Sequence, residues 1–193
     1  MFKSVCFAFI CGLVLSACGS VTPAGLLAAA RLDPLTTPPD ALSVAVSVPP
    51  GVRLQDGDAA LRLAFTPDDL TQAAPVDVTV PLMVRADGAA PQPLVPRDAV
   101  YVLSLSAEDA AAMAAAQKQI IALRAADVEG AGSLAIDVTG GCVLSQMPEV
   151  LPVATWLRPE VDGNWVQLTR RRDVFQELPV AQARALRAGL RRC

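Results

Sequence analysis

The chain has 193 residues, a formal net charge of −3 and a sequence pI of about 4.9. It contains no histidine, which excludes Ser-His-Asp and Cys-His catalysis, histidine-based zinc sites and a histidine pH switch. The acidic balance also excludes a chain-wide basic surface for nucleic acid.

The first seventeen residues have the composition of an export signal. Lys3 supplies a positive charge, and the apolar run over residues 5–17 is shorter than the roughly 20 residues that a membrane-spanning helix needs. The run ends in Leu15-Ser16-Ala17-Cys18, which resembles the bacterial lipobox. The resemblance implies that residues 1–17 are removed and that the Cys18 thiol receives a diacylglyceryl group. It also implies that the new amino terminus is open to acylation, for example by palmitate.

The residues after the lipobox bear on location. In the enterobacterial pattern an Asp after the lipidated cysteine favours the inner membrane, so Gly19 indicates an outer-membrane lipoprotein that faces the periplasm. An ordinary signal peptide cut after Gly19 is the alternative, since small residues also precede that bond. Residues 18–40 contain four prolines among small and polar residues, which predicts a stiffened tether between lipid and domain.

A single domain over residues 41–193 is predicted from the remaining pattern. Seven strands are predicted. Residues 42–48, 61–65, 76–82 and 134–138 alternate apolar and polar residues with the period of a β-strand, and residues 99–105, 153–158 and 165–170 are predicted as strands between turn signals. Pro81 places the third of them at a sheet edge or a bulge. The order of elements predicts an α+β fold with a mainly antiparallel sheet, and a β-sandwich with an inserted helix is the alternative.

Two helices are predicted. The long one covers residues 107–127, follows a capping box at Ser106 and Asp109, and should bury a stripe of Met113, Ile120 and Ile121. The short C-terminal helix covers residues 180–191, and Pro179 before it suits the first helical position.

Cys142 and Cys193 are the cysteines left over once the signal has gone and Cys18 is lipidated. An even pair in an oxidising compartment predicts a disulfide that encloses the last hairpin and the last helix. A free C-terminal thiol that bridges two molecules is the competing expectation.

Candidate interaction residues concentrate in the last 45 residues, which contain eight arginines and five acidic residues. A turn at residues 162–163 would place Trp156 and Trp165 on one face of a hairpin with Arg158, Gln167 and Thr169. That mixture of indoles and polar groups is typical of recognition sites, whereas a covering helix would make both rings part of the core. The candidate arginines, which could pair with phosphate or an acidic partner or simply form solvated surface, are Arg170, Arg171, Arg172, Arg184 and Arg187.

Catalytic and metal-binding patterns are weak throughout. The acidic pairs at residues 56 and 58 and at residues 68 and 69 fit turns better than a calcium loop, and Lys118 lies in the middle of a predicted helix. We therefore expect no enzyme, cofactor or metal site. The sequence predicts a lipid-anchored envelope protein that acts as a structural or interaction module with an unknown protein partner. The alternative is a carrier or assembly lipoprotein with a small apolar ligand held beside Met113 and Ile120.

Overall fold

The computed structural model describes residues 34–86 and 89–193, so the predicted export signal, the predicted lipobox and Cys18 lie outside the described residues. The described part of the chain forms eleven β-strands, three α-helices and a short 3-10 turn at Pro39–Ala41. The strands are β1 (Ser43–Val48), β2 (Val52–Arg53), β3 (Ala59–Pro67), β4 (Val76–Pro81), β5 (Met83–Arg85), β6 (Ala99–Ser104), β7 (Gly130–Val138), β8 (Gly141–Val143), β9 (Pro152–Arg158), β10 (Val166–Asp173) and β11 (Leu190–Arg192). The helices are α1 (Ala107–Ala125), α2 (Val174–Glu177) and α3 (Val180–Gly189).

The strands form three sheets. The largest is antiparallel throughout, in the order β10-β9-β1-β6-β5, and a second antiparallel sheet has the order β4-β3-β7. A small third sheet, β11-β8-β2, contains the parallel pair β11–β8. The prediction of an α+β fold with mainly antiparallel pairing is confirmed. Each of the seven predicted strands is present, and β2, β5, β8 and β11 are additional strands of two or three residues.

The two larger sheets share one hydrophobic core. Alternate residues of β1, such as Val44 and Val46, point into it, and so do Leu61, Leu63 and Phe65 of β3. This is the outcome expected of a period-two pattern, because successive strand side chains point to opposite faces. β4 lies at a sheet edge, as the proline within it predicts.

Helix α1 closes part of this core. Ser106 caps it: its Oγ accepts a hydrogen bond from the backbone N–H of Asp109 at 3.1 Å and donates one to the Asp109 carboxylate at 2.5 Å. Met113 and Ile120 are fully buried, as predicted, but Ile121 is 44% exposed and the prediction for it is wrong. The reason is helical geometry, since residues 113 and 120 lie two turns apart on one face and residue 121 is rotated by about 100° from it.

Gln117 is also buried on the core side of this helix and anchors the start of the described chain. Its side-chain amide donates hydrogen bonds to the carbonyl oxygens of Pro34 at 2.8 Å and Thr37 at 2.9 Å. Leu35 is buried in the core between them. Residues 34–40, which the sequence analysis assigns to the tether, therefore pack against the domain.

The C-terminal helix is shorter than predicted. α3 ends at Gly189, and Leu190–Arg192 continues as β11 beside β8 instead of completing the helix. Gly189 lies against the backbone of the turn before β8, where a Cβ atom would come within 3.0 Å of the Thr139 carbonyl oxygen. The close approach of two backbones at this point requires a glycine, and it allows the chain end to join the small sheet.

Candidate functional site

The two tryptophans lie on the outer face of the five-stranded sheet, the face that points away from the main core. Trp156 is opposite Ala45 of β1, and its ring packs with Ala45, Ala154, Val100 and Trp165 in a cluster separate from that core. The small alanines leave a trough that the indole fills, so Trp156 is only 5% exposed although no helix covers it. A recognition surface requires an exposed Trp156, and that prediction is therefore wrong. Trp165 is half-buried.

A break in the pairing of β9 with β10 rearranges the predicted hairpin face. Gln167 is opposite Trp156, but the next pair is Thr169 with Thr155, so one residue of β10 has no partner. Such a bulge reverses the alternation of side chains beyond it. Gln167 shares the face of Trp156 as predicted, but Thr169 does not; its Oγ1 lies 2.8 Å from the Oγ1 of Thr155, on the opposite face.

An ion pair crosses the same outer face. Arg171 donates from Nε to Oδ2 of Asp98 at 2.6 Å and from Nη2 to Oδ1 at 3.1 Å, and the Ser47 hydroxyl donates to Oδ2 at 3.3 Å. The Asp98 side chain is 1% exposed and that of Arg171 29%. The carboxylate of Asp98 is therefore satisfied by three donors, and Arg171 is occupied within the fold.

The same arrangement fixes the proline-rich segment 89–98, which connects β5 to β6. Trp165 Nε1 donates to the Ala89 carbonyl oxygen at 2.7 Å at one end, and Asp98 is held at the other. Trp165 precedes β10 and Ala89 follows β5, and these strands are opposite edges of the sheet. Segment 89–98 is therefore held at both of its ends by residues of the outer face. Arg158 joins it, with its guanidinium carbon 4.8 Å from the centroid of the Trp165 ring, a cation–π contact.

The candidate arginines do not form one basic surface. Arg187 donates to the carbonyl oxygens of Pro148 at 3.4 Å and Glu149 at 3.0 Å, and its guanidinium carbon lies 3.6 Å from the centroid of the Phe175 ring. It is therefore a structural residue that joins α3 to the loop before β9. Arg170, Arg172 and Arg184 are solvent-exposed, as Arg187 is despite these contacts.

The loop that Arg187 holds, residues 144–150 between β8 and β9, presents an apolar surface to solvent. Leu144 is 52% exposed, Met147 43% and Val150 50%. The ends of the loop are fixed as well, since the Leu144 N–H donates to the Gly51 carbonyl oxygen at 2.9 Å and the Leu151 N–H donates to the Asp173 carboxylate at 2.9 Å. Sequence reasoning missed this surface, because a three-residue spacing of apolar residues indicates the buried side of a helix rather than an exposed loop.

Cys142 and Cys193 form the predicted disulfide, with their Cα atoms 4.9 Å apart. Cys142 is buried in β8, and Cys193 follows β11, with its N–H donating to the Val143 carbonyl oxygen at 3.1 Å. The end of the chain is therefore fixed both covalently and by hydrogen bonds.

The acidic residues act in turns, as predicted. Asp58 is buried and accepts from the Gln55 N–H at 2.8 Å, and the Asp56 carboxylate accepts from the Val84 N–H at 2.7 Å. The Thr71 hydroxyl and backbone N–H both donate to the Asp69 carboxylate and hold the pKa of Asp69 below its ordinary value. No cluster of three potential metal ligands occurs in residues 34–86 and 89–193.

One further ion pair lies on the solvent face of the β3–β4 pair. Arg62 of β3 donates from Nε to the Asp77 carboxylate at 2.8 Å, and Nη2 makes a second contact to it. These hydrogen bonds lower the pKa of Asp77 and raise that of Arg62. The pair is open to solvent and supports the strand pairing rather than a binding site.

No family model, curated protein or solved structure matches this chain. Among the described residues, no helix is both long enough and apolar enough to cross a membrane. The assignment of function therefore depends on the residues themselves.

Proposed function

We propose that this chain is a lipid-anchored envelope protein whose domain acts, without catalysis, as a structural or interaction module. The observation that carries the proposal is the tetrapeptide Leu15-Ser16-Ala17-Cys18, which directly follows a short charged-then-apolar segment. The disulfide supports it, because disulfides persist in oxidising compartments such as the periplasm. An outer-membrane location follows from Gly19.

The anchor is tested by Cys18→Ser, with Cys11→Ser as the matched control, since both remove a cysteine from the amino-terminal region. Cys18→Ser should abolish incorporation of labelled palmitate and leave an uncleaved or wrongly sorted precursor. Cys11→Ser should leave both the label and the fractionation with outer membranes unchanged. Normal maturation of Cys18→Ser to a soluble protein would contradict the proposal and indicate an ordinary signal peptide.

The interaction role is supported by the apolar loop at residues 144–150. Three exposed apolar side chains within seven residues form a patch of the kind that protein interfaces bury, and the fixed backbone lowers the entropy lost on binding. The face that contains the two tryptophans is a weaker candidate for the partner surface, because Trp156 is buried and Arg171 is already paired with Asp98. We therefore place the partner surface on the loop.

This role is tested by crosslinking and pull-down from envelopes with a Leu144→Ser, Met147→Ser variant. The matched control is Leu70→Ser with Val161→Ser, which removes two apolar side chains that are even more exposed, at 63% and 65%, from other turns. The loop variant should lose partners that the wild type and the control variant both retain. Equal partner profiles in all three proteins would remove the loop from consideration.

A further inference from the structure

The outer edge of β7 is the longest regular strand edge without a partner strand among residues 34–86 and 89–193. β7 has nine residues and pairs with β3 on one side only. The ladder gives the direction of its peptide groups, because Asp68 N–H bonds to Glu129 C=O at one end and Thr139 N–H bonds to Asp58 C=O at the other. Hydrogen-bonded and non-bonded pairs alternate in an antiparallel ladder, so the odd-numbered residues of β7 face β3.

The even-numbered residues of β7 consequently direct their N–H and C=O groups away from the sheet. Within the described chain these groups have no backbone or side-chain partner; they belong to Gly130, Gly132, Leu134, Ile136 and Val138. The side chains of Leu134, Ile136 and Val138 extend the main core but are only partly buried. The edge is thus open in both its hydrogen bonds and its apolar contacts.

The other edges carry the features that normally prevent strand addition. The outward-facing side of β4 includes Pro81, which has no N–H, and β10 is interrupted by two register shifts. The remaining edge strands β2, β5 and β11 have only two or three residues. β7 has neither proline, bulge nor basic residue, and Asp137 is its one charged residue.

We propose that β7 pairs with β7 of a second copy of this chain, antiparallel and centred on Leu134. This register places Leu134 against itself, Gly132 against Ile136 and Ala131 against Asp137, so that the outward peptide groups meet outward peptide groups along the whole strand. It also keeps the two Asp137 side chains apart. The result is a six-stranded sheet, β4-β3-β7 continued by the same three strands of the second copy.

The symmetry of this pair agrees with anchoring to one membrane. A two-fold axis that relates antiparallel strands within one sheet stands perpendicular to that sheet, so both copies turn the same face to the same side. Helix α1 lies on the core face of β3 and β4, and Gln117 holds Pro34 against it. Both tethers therefore start on one side of the sheet. Confinement to a bilayer raises the effective concentration of the two copies, as a linker does.

The orientation on a membrane rests on the proposed function, but the pairing itself rests on β7 alone. The test is therefore made in solution, by sedimentation equilibrium of the full chain in density-matched detergent micelles, where a lipid on Cys18 is not required. The wild type should associate as a dimer with a Kd below about 1 mM, the range in which weak specific pairs are detected.

The first pair of variants is Gly132→Pro with Gly132→Ala as its control. Proline removes the outward N–H at this position, whereas a Cβ atom alone fits, with its nearest neighbour a flexible Arg124 nitrogen at 3.4 Å. Gly132→Pro should weaken the dimer by roughly tenfold or more, from the loss of one donor in each copy. Gly132→Ala should dimerise like the wild type.

The second pair tests the register and remains informative if Gly132→Pro does not fold. Ala131→Asp places a like charge opposite Asp137 of the second copy, and Ala131→Lys places an opposite charge there. For two such cross-strand pairs the expected changes in Kd are roughly 2- to 30-fold weaker and tighter respectively, and both should shrink in high salt.

Amide hydrogen exchange supplies an independent readout. Protection at Leu134 and Ile136 should rise with protein concentration, while Ser133 and Ala135, bonded to β3, are protected at every concentration. A wild type that is still monomeric at about 1 mM, where even weak pairs associate, would overturn the inference. So would a dimer that responds to neither pair of variants, or even-numbered amides that are protected without any dimer.

Discussion

Removal of the disulfide gives the most direct quantitative test of the energetics of this fold. The bond joins residues separated by 51 positions. In the chain-entropy model, a closed loop of that length lowers the entropy of the unfolded chain enough to contribute about 4 kcal/mol to the free energy of unfolding. At 2–4 °C per kcal/mol for a domain of this size, Cys193→Ser should lower the Tm by about 8–16 °C.

The assay is thermal unfolding followed by circular dichroism, with wild type unfolded in reductant as the matched control. Cys193 is exposed and accepts substitution without a new buried polar group, whereas Cys142 is buried and serine there would add a second effect. Reduced wild type and oxidised Cys193→Ser should have equal Tm values. A decrease in Tm of less than about 2 °C for Cys193→Ser would refute the reasoning, since it would mean that only the last residues fray without the disulfide.

Three further predictions concern single side chains. Arg171→Met should lower the free energy of unfolding by about 3 kcal/mol in urea denaturation, because it leaves the buried Asp98 carboxylate without its cation, and adding Asp98→Asn should restore part of the loss. Ile120→Ala should cost about 3 kcal/mol and Ile121→Ala less than about 0.5 kcal/mol, and equal costs would contradict the burial of α1. The pKa of Asp77 is lowered in the folded state. The contribution of Asp77 to stability should therefore be complete above its ordinary pKa and should disappear as the pH falls through the folded-state pKa. The difference in free energy of unfolding between wild type and Asp77→Asn should vanish in acid.

Much of the fold could be predicted because several strands alternate apolar and polar residues. β3 buries mainly one face, and the helix cap at Ser106 and the edge proline at Pro81 are local signals that the structure confirms. β1 is buried on both faces, so its serines and Ala45 alternate with valines without marking a solvent side. The short strands β2, β5, β8 and β11 could not be predicted, because two or three residues are too few to show a period.

The surface residues were harder to predict because their environment comes from distant parts of the chain. Trp156 is buried by Ala45 of β1 and by Val100 and Trp165, none of which belongs to its own strand. Thr169 changes face because of a bulge that has no glycine to mark it. Gln117 is polar and yet buried, since its partners are two backbone carbonyl groups that no side-chain pattern reveals.

The central position of β1 has a consequence for how the domain is assembled. β1 is the first strand of the described chain, yet both of its neighbours in the sheet come much later. On one side Ser43 pairs with Arg158 of β9, 115 residues further along the chain. On the other side lies β6, which follows Asp98, a residue 51 positions beyond Ser47 of β1. A chain synthesised from its amino terminus cannot complete its middle strand until most of its length has been made. Such distant strand pairs form slowly, because the entropy of loop closure is lost before the contacts form. In the interval the apolar side chains of β1 are open to chaperones and proteases, and a chain that stops before β9 has no native partner for that side of the strand.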